Sequence, residues 1–108
     1  MTAYDQRQFR LMHEYIEAYR LGAISLRALI DGLSALLDVL ESAGDSWKAR
    51  FRSEWWTLEQ VYASSLDRNQ GQLRLDDEER QLVRSGLTNL SALLQDVLVP
   101  QDQEEDPV

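Results

Sequence analysis

The chain predicts an all-α domain: an antiparallel four-helix bundle or a compact four-helix variant. Three observations carry that expectation. Apolar residues recur at helical spacing in four successive segments. Proline is confined to Pro100 and Pro107, and the five glycines fall mainly where helices would end. Hydrophobic residues make up 44% of 108 positions, enough for one core and too little chain for a second. The expected organisation is a single domain over 1–99, followed by an acidic tail at 100–108 that reads as disordered.

The first segment runs from about Asp5 to Leu21. Phe9, Met12, Ile16 and Tyr19 share one stripe, and Gly22 follows as a left-handed cap. Ser25 is placed to cap the second segment, with Ile24 packing on Leu29 as a staple. That segment carries Leu26, Leu29, Ile30, Leu33, Leu36, Leu37 and Leu40 on one wide face, and extends to about Ala43 before Gly44 ends it. A face so wide suggests contact with two neighbouring helices. Asp45-Ser46 opens the third segment, which reaches about Asp67 with Trp47, Phe51, Trp55, Leu58, Tyr62 and Leu66 on a bulky inner face. Asn69 to Gln72 is a loop by composition. The fourth segment begins at Asp76 or Asp77, where carboxylates favour the helix dipole, and Asp76 and Glu79 have capping-box spacing. Its inward stripe is Leu82, Val83, Leu87, Leu90, Leu93, Leu94 and Val97, and Pro100 stops it.

Composition removes several classes of chemistry. There is no Cys, so disulfides, thiol nucleophiles and thiolate zinc sites are absent. The single His excludes any site within one chain built from two. His13 and Glu17 lie four apart and share a helix face, but a zinc site needs at least a third ligand. No nucleophile elbow, glycine-rich phosphate loop or paired-carboxylate cleft is legible. The expectation is a protein that is not an enzyme and carries no cofactor and no metal. A net charge of −8 argues against nucleic acid as partner, since phosphate binding draws on Lys and Arg. No apolar run approaches the roughly 20 residues of a membrane helix, and the start lacks a secretory pattern. A cytoplasmic protein away from membranes is expected.

The charge is unevenly distributed. The first and third segments balance, whereas the second, the fourth and the tail are acidic. An acidic half beside a balanced half suggests a basic partner. Asp76-Asp77-Glu78-Glu79 has a structural reading too, because acidic first turns stabilise helices. Trp56 stands out. It lies more than about 90° from the centre of the stripe through Trp47, Phe51 and Trp55, beside Arg52, Glu59 and Ala63. A large aromatic there either meets a neighbouring helix or anchors an interface.

The order of features resembles a known group. Arg20-Leu21-Gly22-Ala23-Ile24-Ser25 opens a Leu-rich second helix. An aromatic third helix, Trp55-Trp56-Thr57-Leu58-Glu59-Gln60-Val61-Tyr62, closes on Leu66-Asp67. A polar loop then leads into Leu73-Arg74-Leu75-Asp76-Asp77-Glu78. Over residues 11–98 this is similar to the small helical immunity proteins of bacterial toxin systems, most nearly the colicin D immunity type. The resemblance implies a four-helix domain that blocks the active site of one cognate basic nuclease toxin, with acidic side chains standing in for RNA phosphates. The matching positions are Asp67, then Glu59 and the entry from Asp76 to Glu79; apart from the resemblance, Trp56 would supply the apolar anchor that charge alone does not. Ser64 and Ser65 depart from the pattern where acidic residues are expected, and the acidic tail has no counterpart in it. The alternative expectation is a structural or adaptor protein that forms a homodimer through the aromatic third helix.

Overall fold

The computed structural model describes residues 2–99; the tail expected at 100–108 lies outside them. Four helices follow one another: α1 (Ala3–Arg20), α2 (Leu26–Asp38), α3 (Asp45–Arg68) and α4 (Asp77–Val97). Backbone neighbours are α1 with α2, α2 with α3, α3 with α4 and α4 with α1. Pairings across each interface run in opposite senses. Tyr15 adjoins Gly32 on α1 and α2, with Asp5 meeting Glu41 just past α2. Arg52 meets Asp38 and Trp55 meets Ile30 on α3 and α2. Trp47 meets Leu93 and Arg68 meets Glu79 on α3 and α4, and Gln6 meets Val97 on α1 and α4. The molecule is therefore an all-α, up-down-up-down four-helix bundle. None of these helices is long and apolar enough to cross a membrane.

Local chemistry sets most of the boundaries. Thr2 Oγ1 accepts the Asp5 amide at 3.1 Å and Ser25 Oγ accepts the Ala28 amide at 3.0 Å, which starts α1 and α2. Gly22 ends α1 at φ +79°, with its own amide donating to the Tyr19 carbonyl and that of Ala23 to the Ala18 carbonyl. This is a Schellman closure, in which the left-handed residue lets two otherwise unpaired carbonyls be satisfied. At α4 both halves of the capping box form, Glu79 N–H to Asp76 Oδ1 at 2.8 Å and Asp76 N–H to Glu79 Oε1 at 3.0 Å.

The end of the second segment differs from expectation. α2 stops at Asp38, not near Ala43, and Gly44 is the N-cap of α3. The cause is a distant carboxylate. Asp5, fully buried on α1, accepts the amides of Glu41 at 2.8 Å and Ser42 at 2.7 Å and the Ser42 hydroxyl at 2.9 Å. Those bonds hold residues 41 and 42 in a loop and replace what another helical turn would supply. Leu40 and Ala43 still reach the core from that loop.

Phe9, Met12, Ile16, Leu29, Leu33, Phe51, Leu58, Leu90 and Leu94 are sealed from solvent and come from all four helices. Leu82, expected inward, is 44% exposed. It lies about 100° from the centre of the stripe through Val83, Leu87, Leu90 and Leu94, so the bundle turns it outward. Trp47 and Trp55 are half-buried at the core edge, donating their indole N–H groups to the carbonyls of Leu93 at 2.9 Å and Ile30 at 2.8 Å. The indoles thus pack apolar rings while leaving no polar atom stranded.

Candidate interaction surface

α3 exposes the face opposite its core stripe. Trp56 and Asp67 are eleven positions apart, about three turns or about 16 Å, which puts them on the same side of the helix. Gln60 and Ala63 lie between them and are exposed, and Glu59 is half-buried at the edge. Trp56 is 53% exposed. No neighbouring helix covers it, because α2 and α4 flank α3 on the sides that bear Trp55 and Leu58. Trp55 and Trp56 stand with ring centroids 6.3 Å apart, and the Arg52 guanidinium sits 5.9 Å from the Trp55 ring centre. With Ala49 and Ser53 they form a shallow hollow of about 490 Å³. Ring faces and alkyl carbon dominate that surface, as at an interface anchor.

The remaining residues singled out in the sequence gather where α3 hands over to α4. Asp67 is exposed on the last turn of α3, and Asp76, Asp77 and Glu78 are exposed at the start of α4. Arg68 binds the two ends together. Its guanidinium donates to Glu79 Oε1 at 2.6 Å and Oε2 at 3.0 Å and to the Arg74 carbonyl at 3.1 Å, with an Asp76 carboxylate oxygen at 4.0 Å. The Arg68 hydrogen bonds and the Asp76 backbone N–H hold the Glu79 carboxyl down at about 2, against an ordinary 4.5.

Glu79 is therefore withdrawn from the surface. It is only 8% exposed, and both carboxylate oxygens are committed to α3 and to its own helix cap. Asp76 is double-purposed, since Oδ1 caps α4 while the residue remains exposed. Asp77 pairs with Arg80 at 3.2 Å, but both are open to water and the pair is weak. Asp67 and Glu78 have no cationic partner among the described residues. The freely presented set is thus Trp56, Asp67, Asp77 and Glu78, with Asp76 half-committed and Glu59 at the margin.

Ser65, which breaks the resemblance pattern, is fully buried. Its hydroxyl donates to the Arg74 carbonyl and accepts the Arg74 amide, both at 2.8 Å. A carboxylate could accept that amide but could not donate to the carbonyl. The serine thus fixes the loop that delivers Asp76 to Glu78, a role visible only once Arg74 is brought beside it. Among the described residues no group of three His, Asp or Glu is placed to hold a metal ion.

This chain matches no protein-family model, no curated protein and no solved structure.

Proposed function

We propose that this protein is an immunity-type inhibitor: it binds a basic bacterial nuclease toxin in the cytoplasm and blocks its active site without catalysis. The observation that supports the reading best is Trp56, a half-exposed indole beside an apolar hollow, sharing one helix face with the exposed Asp67. An indole supplies a desolvated anchor, and carboxylates supply direction and selectivity for a cationic cleft. Asp77 and Glu78 extend the negative surface at the same end of the bundle. A net charge of −8 would steer association with a basic partner, toward about 10⁸–10⁹ M⁻¹s⁻¹ at low salt. Carboxylates would occupy the positions that RNA phosphates take in such a cleft.

The decisive experiment looks for a gene for a cationic nuclease beside this one, the expected neighbour of an immunity protein, and mixes its purified product with the purified chain. Complex formation with loss of nuclease activity is expected. Trp56→Ala should weaken the complex by about 30-fold or more, the scale of an interface hot spot. Full nuclease activity in the presence of excess protein would end the proposal. The hollow beside Trp56 also suits a homodimer through α3. Light scattering separates the two, because a dimer that Trp56→Ala converts to a monomer favours the adaptor reading.

A further inference from the structure

A second surface lies between the end of α1 and the start of α4. Arg80, Val83, Arg84 and Leu87 follow the spacing i, i+3, i+4, i+7, one stripe of α4. Ile24 and Leu75 approach this stripe from the two loops, and a cleft of about 460 Å³ opens between them. Its floor is apolar: Val83 and Leu87 each retain only 4% exposure, and Ile24 and Leu75 are half-buried. Its rim is cationic, with Arg20 joining Arg80 and Arg84.

Three guanidiniums around one apolar floor are unusual on a chain of net charge −8 with eleven basic residues. Two are lightly engaged in exposed pairs, Arg20 with Glu17 at 3.0 Å and Arg80 with Asp77 at 3.2 Å. Such pairs are worth little and exchange readily. Among the described residues Arg84 meets a neutral amide oxygen, that of Gln81 at 3.4 Å, and no carboxylate. Guanidinium forks match a carboxylate bidentately, and the floor would bury an apolar body beneath it. The volume falls within the range of small-molecule sites.

We infer that this cleft binds a single-headed amphiphilic anion: a carboxylate on an aliphatic chain, the chemistry of a medium-chain fatty acid. The head is held by Arg84 and Arg80, and the chain lies over Val83, Leu87 and Ile24. The protein's own charge decides between this occupant and a polyacidic peptide. Repulsion from a net charge of −8 grows with each negative charge the ligand carries, whereas one carboxylate is repelled least. This surface is distinct from the hollow beside Trp56, meets the acidic entry of α4 only at the Arg80–Asp77 pair, and does not depend on the toxin-inhibitor proposal.

Titration of the full chain with decanoate, followed by amide ¹H–¹⁵N shifts, tests the inference. Saturable shifts centred on Leu75, Val83, Arg84 and Leu87 are expected, with acetate giving none at the same concentration. Arg80→Gln with Arg84→Gln should weaken binding about tenfold, or 1.4 kcal/mol, while the circular dichroism stays that of the parent. Arg84→Gln alone should give a smaller loss in the same direction. Shifts that do not saturate, that centre on Trp56, or that are indifferent to both arginine variants would overturn it. So would a Glu-rich peptide that binds the cleft more tightly than decanoate.

Discussion

Single side chains at the start of α1 hold distant parts of the bundle together. Asp5 fastens the α2–α3 loop, while Gln6 donates to the Val97 carbonyl at 2.7 Å and accepts the Val99 amide at 2.9 Å. Asp5→Asn should cost about 1.5–3 kcal/mol in urea unfolding, the scale of hydrogen bonds to a buried charge. Burial alone would raise the Asp5 carboxyl, but the bonds from Glu41 and Ser42 more than offset this and leave it lowered. Glu79 is lowered further, to about 2. Both contribute stability that is present above the ordinary carboxylate range and lost as pH falls through the folded values. The urea midpoint should therefore drop between about pH 4 and pH 2, and Glu79→Gln should flatten that drop. Two helical glycines make a sharper contrast. A Cβ on Gly32 would lie 2.5 Å from the Tyr15 ring, whereas one on Gly86 would meet Leu58 Cδ2 at 3.4 Å. Gly32→Ala should destabilise by about 1–3 kcal/mol despite alanine's helix preference. Gly86→Ala should be neutral or stabilising by up to about 1 kcal/mol in thermal unfolding, since the contact is nearly ordinary and the propensity gain remains.

Each helix divides its faces differently. α2 buries Leu26, Leu29, Ile30, Leu33 and Leu37 against two neighbours, whereas α3 keeps one side for solvent. Leu33→Ala or Leu90→Ala should cost about 2–5 kcal/mol, as for deletion of a sealed core side chain. Leu82→Ala, at a position of the same residue type turned outward, should cost less than about 1 kcal/mol. Chemical denaturation of the three variants checks both the core assignment and the rotation of α4. Trp56→Ala should leave stability unchanged within about 0.5 kcal/mol, because no helix packs over that indole. A large loss there would mean that the α3 outer face serves folding.

At the scale of the whole molecule, charge is the property that reaches a partner first. Four of the acidic residues and no basic one belong to 100–108, so that segment carries half of the net charge of −8. Asp67→Lys combined with Glu78→Lys should slow association with a basic nuclease and reduce its salt dependence, while helicity is retained. Asp76 is unsuited to the same test, because reversing it also removes the α4 cap, at about 0.5–2 kcal/mol. Stopped-flow association across a salt series separates these effects. A rate indifferent to salt would show that long-range charge plays no part in the encounter.

Helix number, the α1 stripe, the Ser25 cap, the Gly22 closure and the Asp76–Glu79 box were legible in the sequence because each depends on residues within a turn or two of one another. The outward placement of Trp56 was half-legible: periodicity put it off the core stripe, but only the positions of α2 and α4 left it uncovered. The end of α2, the duties of Asp5 and Gln6, the hydroxyl of Ser65 and the withdrawal of Glu79 were not legible. Each is settled by a partner far along the chain, from 9 positions for Ser65 to 93 for Gln6. A one-dimensional pattern records which residues can pair locally. Which buried polar group is satisfied by which distant amide or guanidinium depends on how the helices pack, and that is decided in three dimensions.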